Sequence, residues 1–200
     1  PTLARAIRRR DAGPILKTER HSDMANTPTA QDIAFTLRRV ETDDDIATAF
    51  RLVSAIWPVC YRGIITDEQI RYMLGAMYAP EAIRRDAAAG APFFLVETAE
   101  KPIGVISYDT APDARGMVVL HKIYLLPDWW GKGVGQSLMR QVFAAAKAAG
   151  ATAVELNVNQ KNARAIKAYR RAGFVVARSF VEDIGGGFSR IDHRMRKELT

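Results

Sequence analysis

The passage that most constrains this chain is a strand, a turn of alternating glycines, and a helix. Val118 to Leu125 is strand-like, and Val134, Leu138, Val142 and Ala145 recur at helical spacing. Between them lies Trp130-Gly131-Lys132-Gly133-Val134-Gly135-Gln136. Glycine has no Cβ, so backbone at alternate positions can come close to a ligand. The helix that follows directs unpaired N–H groups and the positive end of its dipole into the turn, which suits an anion and above all a phosphate. Two common phosphate loops fail on spacing. A Walker loop needs Gly, four residues, then Gly-Lys-Ser/Thr, and the neighbours of Gly131-Lys132 do not supply it. A G-x-G-x-x-G fingerprint would put its third glycine at Gln136 or at Leu138, and neither is glycine.

The residues downstream narrow the choice. Val154 to Asn159 reads as a strand, followed by Asn162, Ala165, Tyr169, Gly173 and Phe174. On a helix, Asn162, Ala165, Ile166 and Tyr169 share a face. The segment resembles the coenzyme-A-binding half of the GCN5-related N-acetyltransferases. Their patterns are Q/R-x-x-G-x-G/A and, further on, N-x-x-A-x-x-x-Y-x-x-x-G-F. The second is complete from Asn162 to Phe174, and the first departs at Trp130, where Gln or Arg is usual. That departure leaves the backbone cradle intact and removes one polar side chain from its rim.

Further matches are similar to the PaiA-type polyamine acetyltransferases. They are Tyr61 to Ile70, Leu120-His121-Lys122-Ile123-Tyr124, and Asp183-Ile184-Gly185-Gly186-Gly187-Phe188, and with the rest they run from about Trp57 to Lys197.

The resemblance implies an α/β (α+β) fold. This is a mixed, mostly antiparallel sheet of about seven strands, with helices on both faces and a central splay. It implies acetyl-CoA as co-substrate, no metal, and transfer of the acetyl group to a primary amine of a small molecule, with polyamines among the candidates. It assigns coenzyme binding to the backbones of Ile123, Tyr124 and Leu125. The turn residues Trp130, Gly131, Lys132, Gly133, Val134, Gly135 and Gln136 join them, with Asn159, Asn162 and Ala165. Asn162 is equally suited to cap its helix.

Three chemical demands follow. A primary alkyl ammonium has a pKa near 10.4, so at neutral pH only about one in a few thousand is neutral and able to attack. A base, or water wired to one, is needed. The oxyanion needs a donor, which a strand N–H can supply. The departing thiolate needs a proton, and the resemblance assigns that to Tyr169, a residue that is otherwise a helix aromatic. His121 is the base candidate. Alternation would put Val119, His121, Ile123 and Leu125 on one strand face, although a histidine beside Lys122 also suits a hydrogen-bonded rim. Glu68, Asp183 and Asp192 are the carboxylates available to an acceptor. Glu68 also suits a helix start and Asp183 a turn.

The bulk properties agree. The 200 residues fit one domain with a sizeable core. No apolar run approaches the ~18 residues of a membrane span. Cys60 is the single cysteine, which rules out an internal disulfide and suits a reducing cytoplasm, and it reads as a packing residue. The net charge of +7 suits a polyanionic ligand without indicating nucleic acid. Lys161, Arg164 and Lys167 suit either the coenzyme phosphates or a solvated helix face.

Residues 1–23 carry Arg5, Arg8, Arg9, Arg10, Lys17 and Arg20 against Asp11, Glu19 and Asp23. Residues 1–33 show no sustained apolar period and are expected to be a disordered basic extension. A targeting peptide is disfavoured by Asp11 and Glu19. Folding signals begin only after Met24, which is expected to be the true start. Residues 34–200 are expected to form the acetyltransferase domain, monomeric or homodimeric. The alternatives are a non-catalytic acyl-CoA-binding sensor or structural module of the same fold, or an acetyltransferase acting on a protein or antibiotic amine. Nucleic-acid binding through the basic arm lacks interleaved aromatics.

Elsewhere, Phe35 to Val40 reads as a strand. Thr42 with Asp45, and Thr66 with Gln69, read as capping boxes. Ile46, Phe50, Val53 and Trp57 form a helical stripe ending at Pro58, and a short helix runs from Pro80 to Ala89. Phe93–Glu97 and Ile103–Tyr108 form a hairpin, and Phe174–Val181 and Phe188–Met195 close the chain as strands. No internal repeat is present.

Overall fold

The computed structural model describes residues 33–199, so the expectations for the basic arm and for Met24 lie outside the described residues. The strands are β1 (Thr36–Arg39), β2 (Phe93–Glu97), β3 (Pro102–Tyr108), β4 (Met117–Leu125), β5 (Ala153–Asn159), β6 (Val175–Gly185) and β7 (Phe188–Glu198). The helices are α1 (Asp43–Cys60), α2 (Asp67–Tyr78), α3 (Pro80–Ala88), α4 (Val134–Ala148) and α5 (Ala163–Arg171), with a 3₁₀ turn at Pro127–Trp129. The sheet order is β1-β2-β3-β4-β5-β7-β6, and among the described residues only β4 and β5 run parallel. This is the mixed, mostly antiparallel sheet expected, with helices on both faces.

Period-two alternation sorts the side chains into two cores. On one face Val96, Ile106, Leu120, Leu156 and Met195 pack with Leu138 and Val142 of α4 and Ile166 of α5. On the other, Phe93, Leu95 and Val105 pack under α1–α3 with Trp57, Ile70, Tyr78 and Ile83. Gly104 lies where strands crowd, since a Cβ there would run into the carbonyl of Tyr124.

Helix starts follow the capping signals. Thr42 Oγ1 accepts from Asp45 N–H and the Asp45 carboxylate accepts from Thr42 N–H, a complete capping box. At α2 only half of the second box forms. Thr66 accepts from Gln69 N–H, but the Gln69 amide reaches across to the Ser189 carbonyl at 2.8 Å and ties α2 to β7.

Four local expectations change. Helix α1 continues through Pro58 to Cys60, because a proline in the last turn costs one bond near the helix end rather than a mid-helix ladder. Phe50 lies on the flank of the stripe and is exposed, while Ala49 is buried. In α4 the buried alanine is Ala146, and Ala145 is exposed. The last correction concerns β4. Leu120 lies opposite Tyr108 and Lys122 opposite Ser107, so His121 is the extra residue of a bulge. The bulge breaks the alternation expected along the strand. Val118 and Leu120 share the α4 side with Ile123 and Leu125, while Tyr124 turns to the α1 side.

Candidate active site

β4 and β5 pair only from Met117–Val119 to Ala153–Glu155 and then part. The bonding pattern of β4 shows what faces the gap. Leu126 N–H bonds the Ile103 carbonyl on β3. In an antiparallel pair the bonding residues alternate, so Tyr124 also turns its polar backbone to β3 and Ile123 and Leu125 turn theirs to the gap. The gap opens into a cleft of about 690 Å³.

The glycine turn closes one end. Gly131 and Gly133 have φ of +75° and +85°, a conformation that favours glycine. Gly133 is the N-cap of α4 without a side-chain cap, and the first turn of α4 holds no acidic residue. The helix end therefore keeps its donors and its positive field for a ligand. Gly135 is the informative residue. A Cβ there would meet nothing nearer than Leu125 Cδ1 at 3.9 Å, so no packing among the described residues demands a glycine inside this helix.

The expected coenzyme residues all lie in or beside the cleft, in differing ways. The Val134 side chain is core, which leaves its backbone for a ligand. The Gln136 amide donates to the Ala168 carbonyl at 2.8 Å and joins α4 to α5. Lys132 Nζ sits over the Trp129 ring. Trp130 Nε1 donates to the Leu125 carbonyl at 2.7 Å, on the strand edge that faces the gap. Asn162 caps α5 through Ala165 N–H at 3.1 Å, and Asn159 Oδ1 accepts from Lys161 N–H at 2.9 Å.

Tyr169 lines the cleft from α5, its ring against Phe174. Burial pushes its phenol well above the ordinary range, Cys60 adds to the rise and Arg164 opposes it. It therefore carries its proton at neutral pH. Tyr61 and Tyr124 extend the phenol cluster, their hydroxyls 3.2 Å apart. His121, on the bulge, lines the cleft with Nε2 2.6 Å from Asp109 Oδ1. The other Asp109 oxygen accepts from Val119 N–H at 2.9 Å, which anchors that carboxylate to the strand.

The sequence profile of the acetyltransferase (GNAT) family matches residues 53–174. The chain belongs to the GNAT acetyltransferase family. It is 30% identical over 144 residues to an uncharacterised N-acetyltransferase of Methanocaldococcus jannaschii, across 70% of this chain and 60% of that relative. It is 48% identical over 59 residues to an uncharacterised N-acetyltransferase of Mycobacterium tuberculosis, across 30% of this chain and 38% of that one. The matches thus span less than two thirds of these curated relatives. Among solved structures, the fold is similar to that of the PaiA N-acetyltransferase of Thermoplasma acidophilum in complex with coenzyme A. The TM-score is 0.66 at 22% identity, over 82% of this chain and 99% of that one.

Within this GNAT cleft, two side chains go beyond the sequence reading. Arg164, exposed on α5, does more than sit on a solvated helix face. Its guanidinium lies 3.4 Å over the Trp130 ring and Nη2 reaches Cys60 Sγ at 3.2 Å, so it straps the cleft from α5 to the end of α1. Cys60 consequently faces the cleft, and burial raises its thiol against the opposing charge of Arg164. Nothing in the local pattern around Arg164 marks it, because both partners are distant in sequence.

Proposed function

We infer that this chain transfers the acetyl group of acetyl-CoA to a primary amine of a small molecule. The observation that carries this reading is the backbone edge that β4 turns to the gap at Ile123 and the Leu125 N–H, the Leu125 carbonyl being taken by Trp130, with the uncapped α4 end at one end of the gap and protonated Tyr169 lining it. Acetyl-CoA supplies the acetyl group as a reactive thioester. The α4 N–H groups and the glycine backbone hold phosphate, and the edge of β4 pairs with the pantetheine arm. A backbone N–H of that edge meets the developing oxyanion. His121, oriented by Asp109, takes a proton from the amine. Tyr169 gives its phenolic proton to the departing sulfur.

The acceptor includes polyamines among its candidates, since chain segments resemble PaiA-type enzymes and one similar structure is named for PaiA. Thiol release from acetyl-CoA across an amine panel that includes spermidine tests the activity. With an active amine, Tyr169→Phe should lower kcat by roughly a hundredfold or more, the range for a positioned acid, with little change in coenzyme affinity. A near-full kcat when chemistry limits turnover would remove the acid role. Tight coenzyme A binding with no thiol release for any amine would favour the sensor reading.

A further inference from the structure

The cleft holds a carboxylate that the described residues leave without a side-chain partner. β5 and β7 pair so that Asn159 lies opposite Asp192 and Asn157 opposite Arg194. Alternation puts Arg190, Asp192 and Arg194 on one face of β7, and all three line the cleft. Each arginine is already matched. Arg194 donates Nε to Asn157 Oδ1 at 3.0 Å and Nη1 to Glu155 Oε2 at 3.3 Å. Arg190 pairs with Glu182. Asp192 is 8% exposed, and among the described residues its carboxylate accepts no hydrogen bond and forms no ion pair. Gln160 Nε2, the nearby amide donor, goes to the Asp192 backbone carbonyl at 3.2 Å and not to the carboxylate.

Asp192 is largely buried, yet its oxygens stay open to the cleft, and a carboxylate that loses its water there needs a cation in return. Burial pushes the Asp192 carboxyl up, and nearby Arg190 and His193 oppose the rise only in part. The other two carboxylates considered for an acceptor do not line the cleft and have partners of their own. Asp183 accepts from Gly185 N–H at 2.8 Å, and Glu68 lies 3.6 Å from Arg71.

We propose that Asp192 is the counter-ion of the acceptor, drawing its ammonium group out of water onto the floor of the cleft. This rests on the acetyl-transfer reading of the same cleft. One unmatched carboxylate answers one cationic nitrogen. The wall from α1, α2 and the turn between them presents Trp57, Tyr61, Ile65, Met73 and Met77, so the body that accompanies the ammonium is apolar. The acceptor class is a monoamine with an alkyl or aryl body. Among the described residues, a second cationic nitrogen finds no further carboxylate lining this cleft.

The test uses the full chain with phenethylamine, n-hexylamine and spermidine as acceptors. The wild-type KM for phenethylamine should lie below that for spermidine, and the reverse order would overturn the monoamine class. Asp192→Asn should raise the phenethylamine KM by about tenfold or more while kcat changes less than about threefold. Its affinity for coenzyme A should stay within about twofold, and its melting temperature should not fall, because the change removes an unpaired buried charge. An unchanged amine KM, or an equal loss of coenzyme A affinity, would overturn the role. If the wild type acetylates no amine, the acetyl-transfer reading fails on its own. Calorimetric titration of phenethylamine into the coenzyme-A-loaded chain then decides. Binding that disappears in Asp192→Asn supports the counter-ion. Absent wild-type binding, or equal binding by both, overturns it.

Discussion

Helices α1 and α4 begin in opposite ways. At α1 the chain satisfies its own donors. Thr42 and Asp45 complete a capping box, and Asp43, Asp44 and Asp45 place three acids in the first turn. The Asp45 carboxylate also pairs with Arg38 of β1, so the helix start is tied into the sheet. At α4 a left-handed glycine stands at the N-cap, no side chain caps it and no acid follows. The contrast separates a helix end used for stability from one kept for binding. An N-terminus filled from within gains about 1 kcal/mol from its cap, whereas an open one gives up that term and keeps its field for an anion.

The largest test closes the open end. Gly135→Asp puts a carboxylate into the first turn of α4. It should weaken coenzyme A binding by roughly a hundredfold through charge repulsion at the phosphate cradle, with the fold kept. Isothermal calorimetry reads the affinity, and equal binding would show that no phosphate approaches this turn.

Gly135→Ala is the subtler change. Alanine should stabilise the helix by about 0.5–1 kcal/mol relative to glycine, and its Cβ meets no clash within the chain. We expect a higher melting temperature together with coenzyme affinity about tenfold weaker, a pairing that no purely structural glycine would give. A stabilised variant with full affinity would return Gly135 to the status of an ordinary helix residue.

The closed end should respond in the other direction. Thr42→Ala should cost about 1 kcal/mol in chemical denaturation and leave coenzyme affinity unchanged. A loss of binding would mean that the two ends are coupled through the sheet.

Acid should expose the same cap. The side-chain bond from Arg38, and then the backbone N–H groups of Thr42 and Glu41, hold the Asp45 carboxyl well below the usual carboxylate range. Its folded value is depressed, so its contribution is present above the unfolded value and is lost as pH falls through the folded one. Wild type should therefore be more stable than Asp45→Asn at about pH 7, with the gap closing towards about pH 2. A gap that persists at low pH would assign the effect to shape rather than charge.

The two ends also differ in how far they could be read. Thr42, Asp45 and the alternating glycines from Gly131 to Gly135 act within a few residues of themselves, so spacing alone located both helix starts. The Asn162-to-Phe174 segment was legible for the same reason, with Asn162 capping α5 and Tyr169 on the cleft side of it. The fold class followed from the same run, through the resemblance it carries. Gln69 escaped because its amide bonds Ser189, far along the chain, rather than its own helix start. His121 was singled out by residue type, but its place on the strand was not, because a bulge depends on how β3 and β4 come into register.

By itself, the sequence determined the phosphate-suited turn, the capped helices, the alternating strands and the GNAT family resemblance. These arise from backbone conformation and short-range hydrogen bonds, whose partners lie within a turn or two. Only the tertiary structure decided that Trp130 would seat its indole on the Leu125 carbonyl, that Arg164 would bridge Trp130 and Cys60, and that Asp192 would be buried without a cation of its own. Those outcomes depend on which residues of separate elements arrive together once the sheet parts between β4 and β5. Burial and charge balance are properties of that assembly, and no local spacing encodes them.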